Sequence, residues 1–415
     1  MRIPKTTAAF LAFCGILLAS APIRAKTPAF EVMHWWNSAS EAAAINEIRR
    51  AFEARGHRWI DRSMPSYTSM RAAAMDQISA GFPPAAMQWL AGPDLNDLSD
   101  LQLIMPTEPL AQQDGWHERM YPFVADLAGH HGEFVALPVS IHAENWAYFS
   151  RSVYDTAGLP VPSSWRQLIE QAPAILDAGF IPLAVGGGSW QLRILFSSIV
   201  LGTAGREAFE TLLLPDAKRD LEAPEMREAF DIFLALRAFV DVDHIDRSWH
   251  DATALVVSGQ AAVQFMGDWA KGEFVAAGQR PEIDYVCQLA PGTGDAYVTI
   301  VDFFLLGMQE DPALAEAQTA FARTVVSPEV QTAFARHKGS IPVLRDVSAR
   351  NADLDECSRE AMATLRKPGA FLASANHFDN GSHVAKVNAA IRTIWMDPSM
   401  NAERAAAYLN DAIRD

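Results

Sequence analysis

Aromatic and acidic side chains stand where the first predicted strand meets the first predicted helix. Trp35 and Trp36 end the strand, and Glu41 opens the helix that follows. Adjacent residues of a strand face opposite sides, so one indole can pack in the core while the other faces out at the carboxyl edge of the sheet. Ligand crevices of α/β proteins lie at such edges. For this pair alone, however, ordinary core filling is the commoner outcome.

Side chains of the same chemical kinds occur later in the chain. They are Trp249 in RSWHD, Trp269 in FMGDWAK, Asp302 at the end of TIVD, Lys338 in RHKGSIP and His377 in SANHFDNG. Each one alone is explained by a structural role, such as a helix cap, a solvated cation or a loop histidine. Together they supply flat faces and hydrogen-bonding groups. Such a set suits a sugar, whose C–H faces stack on indole and whose hydroxyls both donate and accept hydrogen bonds.

The sequence lacks the motifs of several common catalytic and metal sites. It contains no GxSxG nucleophile elbow, no GxxxxGK[ST] phosphate loop and no HExxH helix. The adjacent pair His130 and His131 has no other spaced ligand nearby, so we interpret it as a solvated loop pair. We therefore predict no catalytic residue, no metal and no cofactor. Cys287 and Cys357 form no CxxC motif, and they are either a disulfide or two separate buried thiols.

The N-terminus is typical of an export signal. Arg2 and Lys5 precede an apolar run over residues 8–21, which is shorter than the about 20 residues that a membrane span needs. We predict that residues 1–25 are a signal peptide; a lipoprotein signal on Cys14 is the less favoured alternative. The mature protein is therefore expected to be exported, without direct membrane insertion.

The composition limits the classes of ligand and partner. The 415 residues include 34 Lys+Arg and 50 Asp+Glu, a net charge of −16, and half of them are apolar. Without the signal peptide, 31 cations face 50 anions, a net charge of −19. Nucleic acids and anionic membranes are bound largely through cations, so we expect neither as a partner. Small neutral ligands and protein partners remain.

Strand and helix patterns alternate along the chain, which predicts an α/β fold of mostly parallel sheets flanked by helices. Residues 40–55 show helical spacing, with Ala44, Ile45, Ile48 and Phe52 on one face. The apolar strings at 135–139 and 297–303 are predicted to cross between two lobes, with a ligand cleft between them. The predicted lobes are 26–138 plus 302–345 for lobe 1, and 139–301 plus 346–415 for lobe 2. A simple tandem of two lobes is the alternative.

Several strings resemble the periplasmic sugar-binding proteins of ABC importers, in family 1 of the extracellular solute-binding proteins, and specifically its glucose/mannose-binding branch. FMGDWAKGEF and the double tryptophan are the most specific, and PPAAMQW, VALPVSIHAENW, GGGSWQ, TIVDFF and HKGSIPV extend the resemblance over nearly the whole mature chain. It implies the two-lobed periplasmic binding protein fold, one sugar in the cleft and inner-membrane ABC permease subunits as partners. It also implies ligand contacts for Trp35, Trp36, Glu41, Gln88, Trp249, Trp269, Asp302, Lys338 and His377.

Two positions depart from the pattern of this family. Leu90 stands two residues after Gln88, where many relatives carry His or Lys, and Ala143 replaces the arginine of a VHRxNW-like string. Each departure removes a polar group near the predicted cleft. We therefore expect a flatter preference among glucose and its epimers.

We interpret the chain as a monomeric receptor, not an enzyme, that captures a small neutral monosaccharide, glucose or a close epimer, for an ABC permease. One alternative is a secreted glycoside hydrolase, which would use Glu41 and Asp302 as its two carboxylates. Against it, Lys338 and His377 would compete for those carboxylates. The other alternative, a receptor for an oligosaccharide or a sugar acid, stays within the same class of binding protein.

Overall fold

The structure is a computed structural model of the chain. It describes residues 28–215, 217–347, 354–377 and 382–414. The predicted signal peptide, with Cys14, lies outside the described residues. Across these ranges, no helix combines the length and the apolar character that a bilayer crossing requires.

The strands of the described residues form two mixed sheets and a small hairpin. They are β1 Ala29–His34, β2 Arg58–Ser63, β3 Ala86–Leu90, β4 Gly129–His130, β5 Glu133–Phe134, β6 Leu137–Ala143, β7 Trp146–Ser150, β8 Ile181–Leu183, β9 Ala261–Met266, β10 Tyr285–Leu289, β11 Tyr297–Leu305 and β12 Phe371–Ala373. The larger sheet has the order β12-β11-β3-β1-β2, with β6 also paired to β11. The smaller sheet has the order β10-β7-β9-β8, and β4 pairs with β5.

Helices flank both sheets. They are α1 Ala39–Glu53, α2 Tyr67–Ser79, α3 Pro93–Asp100, α4 Glu108–Asp114, α5 Trp116–Arg119, α6 Pro122–Ala128, α7 Arg151–Ala157, α8 Trp165–Asp177, α9 Ser189–Thr203, α10 Gly205–Leu213, α11 Pro224–Leu236, α12 Trp249–Val257, α13 Ala270–Ala276, α14 Pro312–Val325, α15 Pro328–Lys338, α16 Glu356–Leu365, α17 Ser382–Met396 and α18 Ala402–Ala412. Short 3₁₀ turns cover Arg237–Phe239, Val242–Asp246 and Ala375–His377.

The α/β prediction is confirmed, but the sheets are mixed rather than mostly parallel. In the larger sheet β1 runs parallel to β2 and β3, whereas β11 runs antiparallel to β3 and β6. In the smaller sheet β7 runs antiparallel to both of its neighbours, and only the β8–β9 pair is parallel. The reversed strands are β11, with β12 parallel to it, and β7. The chain passes directly from β6 to β7 and from β10 to β11, with no crossover helix between the two strands of either pair.

Two apolar cores accompany the two sheets. One is built mainly on β1, β3, β6 and β11 with helices such as α1, α14 and α15, and it also includes residues of β7, β9 and β10. The other is built on β7 and β9 with helices such as α9, α11, α17 and α18. The predicted lobe boundaries, after residues 138 and 301, fall inside β6 and β11, which both belong to the larger sheet and whose pairing shifts in register between Asp302 and Phe303. The lobe assignment stays a prediction.

Asn145 links the two segments that are predicted to cross between the lobes. It lies between β6 and β7, and its amide nitrogen donates to the carbonyl of Ala296 at 2.8 Å. Its amide oxygen accepts from the backbone N–H of Val298 at 3.0 Å. One side chain thus satisfies a donor and an acceptor of the neighbouring segment, which an amide does and a carboxylate cannot.

Cys287 on β10 and Cys357 on α16 form a disulfide, which settles the alternative left open by the sequence. Their Cα atoms lie 6.1 Å apart and they are separated by 70 residues. The bond therefore attaches α16 to the smaller sheet and closes a long loop of chain.

We expect replacement of both cysteines, Cys287→Ser with Cys357→Ser, to lower the free energy of unfolding by about 2–4 kcal/mol, because the open chain gains conformational entropy when it unfolds. Urea unfolding of the two proteins measures this difference. Reductant should lower the midpoint of the wild type and leave that of the variant unchanged. Two reactive thiols in the unreduced, unfolded wild type would contradict the prediction.

Candidate functional site

Several polar residues of the larger sheet lie on one of its two faces. Asp302 of β11 lies opposite Leu90 of β3 on one side and opposite Ser140 of β6 on the other. Residues that are directly opposite in a sheet share a face, and so do residues two apart along a strand. Gln88 and His142 therefore lie on the same face as Asp302.

Trp269 is placed against this face by a short turn. It follows β9 after Gly267 and Asp268, and its ring lies directly on Gly267, where a Cβ atom would collide with it. The centroid of the ring is 5.8 Å from that of His142 and 6.2 Å from that of Trp190. The glycine of GDW, Gly267, is thus required for the position of the indole.

His142 bridges two buried carboxylates. Its Nδ1 lies 2.5 Å from Oδ1 of Asp268, and its Nε2 lies 3.3 Å from Oδ2 of Asp302. Asp268 also accepts hydrogen bonds from the backbone N–H of Ala143 at 3.0 Å and from the hydroxyl of Tyr297 at 3.1 Å. The side chains of His142 and Asp268 are both less than 5% exposed. Through its contact with this buried histidine, Asp302 is held in a fixed orientation.

The charge state of His142 follows from these neighbours. Burial disfavours the charged imidazolium, and Lys338 opposes it as well. The carboxylates of Asp268 and Asp302 outweigh both effects and hold the pKa of His142 above its usual 6.5. The imidazolium form donates from both nitrogens, one to each carboxylate.

Glu41 and Lys338 form a second buried pair. Oε1 of Glu41 accepts from Nζ of Lys338 at 3.0 Å, and Oε2 accepts from the backbone N–H groups of Asn37 and Ser38 at 3.0 and 3.1 Å. With Ser38 as N-cap, Glu41 completes the capping box of α1. Nζ of Lys338 also lies 5.9 Å from the centroid of the Trp269 ring.

Trp35 and Gln88 are brought together at the carboxyl ends of β1 and β3. The backbone N–H of Trp35 donates to Oε1 of Gln88 at 3.1 Å, and the half-buried indole packs edge-on against Tyr67. Both tryptophans follow β1, which ends at His34 rather than at Trp36, so strand alternation does not apply to them, and Trp36 has different surroundings. It is 2% exposed and packs against Phe304 and Phe334, with ring centroids 5.8 and 5.2 Å away.

Trp249 and His377 lie in other surroundings. Trp249 begins α12, and its carbonyl accepts from Nε2 of Gln264 at 3.0 Å. Both ring nitrogens of His377 are buried without a hydrogen-bond partner among the described residues. Burial lowers the pKa of His377 to about 4, although the nearby carboxylate of Glu144 acts in the opposite direction.

The nine predicted residues are therefore only partly assembled. Trp269, Lys338 and Glu41 form one cluster, which Asp302 joins through His142. Trp35 and Gln88 form another. Among the contacts of the described residues, Trp36, Trp249 and His377 join neither cluster. Whether each of the nine touches a ligand stays a prediction.

A comparison with protein families gives the class of the protein. The family described as bacterial extracellular solute-binding protein matches residues 47–361, most of the chain. The chain belongs to this family. Because its members bind solutes, the prediction that the protein is not an enzyme is confirmed.

Two relatives and one solved structure match this solute-binding protein over most of its length. A probable sugar-binding periplasmic protein of Brucella melitensis is 32% identical over 384 residues, which cover 91% of this chain and 90% of that protein. One of Rhizobium meliloti is 31% identical over 409 residues, which cover 97% of each chain. Among solved structures, a chitin oligosaccharide binding protein has a TM-score of 0.76 at 17% identity and covers 93% of this chain and 99% of that one.

These matches confirm the periplasmic binding protein fold and a location in the periplasm or outside the cell. They support family 1 of the solute-binding proteins and do not establish the glucose/mannose branch. The structure argues separately against the hydrolase alternative, because the two carboxylates that it would use are held by other side chains. Glu41 is held by a helix cap and Lys338, and Asp302 is held by His142.

The sequence reasoning missed five residues at or near the candidate site. His142 and Asp268 lie inside IHAENW and FMGDWAK, and Trp190 lies in GGGSWQ, so the strings were recognised without their roles. The buried pair of Glu144 and Arg193 was also missed; the guanidinium donates twice to the carboxylate, at 2.9 and 3.0 Å. A histidine or glutamate in an apolar string was the available signal, because such groups are rarely buried unless they are paired.

We expect His142→Gln to destabilise the protein by about 3 kcal/mol at pH 6, because two buried carboxylates lose their cation. The raised pKa of His142 sets the pH dependence. Its contribution is fully present below its usual 6.5 and is lost as the pH rises through the raised value. Urea unfolding from pH 5.5 to 9 measures the difference, and His250→Gln, at a histidine whose side chain is 42% exposed, is the matched control. A difference that stays constant or grows with pH would contradict the charged bridge.

Proposed function

We propose that this solute-binding protein captures a neutral monosaccharide, glucose or a close epimer, and delivers it to an ABC-type permease. The observation that carries the proposal is a set of buried polar atoms without hydrogen-bond partners among the described residues. They include Nε2 of Gln88, on the face that carries Asp302, and, outside the two clusters, both ring nitrogens of His377. An unpaired buried polar group costs about 1–3 kcal/mol, which the hydroxyls of a bound sugar would offset.

The names of the two relatives support a sugar, and the chemistry of the site fits one. The indole of Trp269 offers an apolar face beside Lys338 and the His142–Asp302 pair. Oxygen and nitrogen atoms near this face can bond hydroxyls as donors and as acceptors. Charged partners make such bonds stronger than neutral ones.

The charges of the site favour a neutral ligand. Lys338 neutralises Glu41, Arg193 neutralises Glu144, and the imidazolium of His142 faces two carboxylates. The balance is slightly negative, so a uronic acid or a sugar phosphate would meet repulsion. This argues against the sugar-acid alternative.

The burial of the site favours a small ligand. Glu41, Gln88, Asp302 and Lys338 are all buried. A monosaccharide can be enclosed completely by such a site, whereas an oligosaccharide needs an open end through which its further rings project. This argues for one ring.

Contacts between the two predicted lobes supply a mechanism of closure. Oε1 of Glu273, on α13, accepts from Oγ of Ser40 at 2.6 Å and from its backbone N–H at 3.3 Å. Ser40 lies in the first turn of α1, where the helix dipole favours a carboxylate. Gly272 packs on Ser40 and on the carbonyl of His337 with no room for a Cβ atom. A sugar that touches both lobes shifts the population toward the form with these contacts.

Delivery then requires that the permease distinguish the closed form from the open one. Its loops would meet the strongly acidic mature chain, whose net charge is −19. Complementary basic loops would raise the association rate, mainly at low salt. We therefore expect the permease to recognise the closed form by contacting surface positions on both lobes.

Calorimetric titration with a panel of sugars tests the function. We expect glucose, mannose or galactose to bind, with little change in affinity between low and high salt, because buried charges are poorly screened. Glucuronate and glucose 6-phosphate should bind more weakly, and Leu90→His should sharpen the preference among epimers by about 1–2 kcal/mol. Exclusive binding of an oligosaccharide or of an anionic sugar would overturn the proposal.

Two tryptophan variants separate stacking from core packing. We expect Trp269→Ala to weaken sugar binding by about 2–4 kcal/mol, the range of a buried aromatic anchor, with a small change in the free energy of unfolding. We expect Trp36→Ala to weaken sugar binding as well. It should also lower the free energy of unfolding by about 3–5 kcal/mol, because the ring of Trp36 fills the core between Phe304 and Phe334. Calorimetry and urea unfolding measure the two effects. Full-affinity binding by Trp269→Ala would remove this residue from the site.

A further inference from the structure

We infer that Asp100, His130 and His131 form a surface site for a divalent transition-metal ion such as Zn²⁺. Among the described residues, these three side chains bring their ligand atoms within 4.8 Å of one another. Oδ1 of Asp100 lies 2.8 Å from Nε2 of His130 and 3.7 Å from Nε2 of His131. None of the three belongs to the proposed sugar site, so the inference is independent of the proposed function.

The distances fit a tetrahedral metal ion. Zn–N and Zn–O bonds of about 2.0–2.2 Å place neighbouring ligand atoms roughly 3.3 Å apart, between the two separations observed here. Small side-chain rotations suffice, because Asp100 and His131 are 59% and 79% exposed. Water can then complete the coordination. Two imidazoles with one carboxylate suit zinc, copper or nickel, whereas magnesium and calcium prefer oxygen ligands.

The sequence alone lacked the third ligand, and the fold supplies it. His130 and His131 lie at the tip of the β4–β5 hairpin, and Asp100 is the last residue of α3. The carbonyl end of a helix carries a partial negative charge, which favours a cation there. The ion would therefore connect the hairpin to the end of α3, 30 residues away in sequence.

The hairpin loop places the side chain of His131 beside the other two ligands. His131 and Gly132 form the two-residue loop of the hairpin, with φ of 54° and 82°. Loops with two positive φ angles strongly prefer Asn-Gly or Asp-Gly, and positive φ is uncommon for other residues. Histidine is among the few other residues that are enriched at positive φ, so the loop accommodates His131. In this position its ring centroid lies 3.8 Å from that of His130, next to Asp100.

Titration of the mature chain with Zn²⁺ tests the site. The protein carries no histidine tag and is first treated with a chelator. We expect one Zn²⁺ per chain by calorimetry and a rise in melting temperature on binding, with no comparable effect of Mg²⁺. His131→Asn is the sharpest variant, because asparagine suits the positive φ and keeps the hairpin while removing one ligand. Asp100→Asn removes the carboxylate charge without changing the size of the side chain.

Each variant should weaken Zn²⁺ binding about tenfold or more. The hairpin of His131→Asn should remain intact, as shown by an unchanged melting temperature in the presence of chelator. Sugar affinity should be the same with and without Zn²⁺, which keeps this test separate from that of the proposed function. Zn²⁺ binding that is absent in the wild type, that survives unchanged in both variants, or that competes with sugar would overturn the inference.

Discussion

The antiparallel pairing of β6 with β11 is the interaction on which the arrangement of the candidate site depends. β11 is buried along its whole length, with β6 on one side and β12 and β3 at the two ends of the other. This pairing sets the register that places Ser140, His142 and Asp302 on one face. Because the same two strands lead into the segments joined by Asn145, the polar centre lies where the chain passes between the two sheets.

Charges can occupy such a buried position only in pairs, since an isolated charge away from water is very unfavourable. His142 therefore lies between two carboxylates, Lys338 binds Glu41, and Arg193 binds Glu144 in bidentate geometry. Buried pairs of this kind add little net stability compared with apolar residues, but they fix the orientation of each group. The result is a preorganised set of hydrogen-bonding atoms, which lowers the entropic cost of binding a ligand with many hydroxyls.

Local patterns predicted the local structure well and the long-range pairing poorly. The helical spacing at 40–55 corresponds to α1, because one apolar face and a capping box are properties of neighbouring residues. Strand direction is set by distant partners, so the mixed sheets were predicted as mostly parallel. The same limit applies to the site. His142 and Asp268 both lie in recognised strings, yet they are 126 residues apart, and nothing in either string indicates the contact. For the same reason, the sequence does not decide between a disulfide and two separate thiols at Cys287 and Cys357.

The turn between β9 and α13 joins the proposed stacking surface to a contact between the predicted lobes. It presents Trp269, the proposed stacking surface, and leads within four residues to Glu273, which bonds the first turn of α1. Two glycines make this possible: Gly267 lies under the indole and Gly272 lies against Ser40, and neither position has room for a Cβ atom. A ligand that orders the indole therefore also orders the helix that carries Glu273. Since the two groups belong to one short rigid element, stacking of a sugar and contact between the predicted lobes are expected to occur together rather than as independent events.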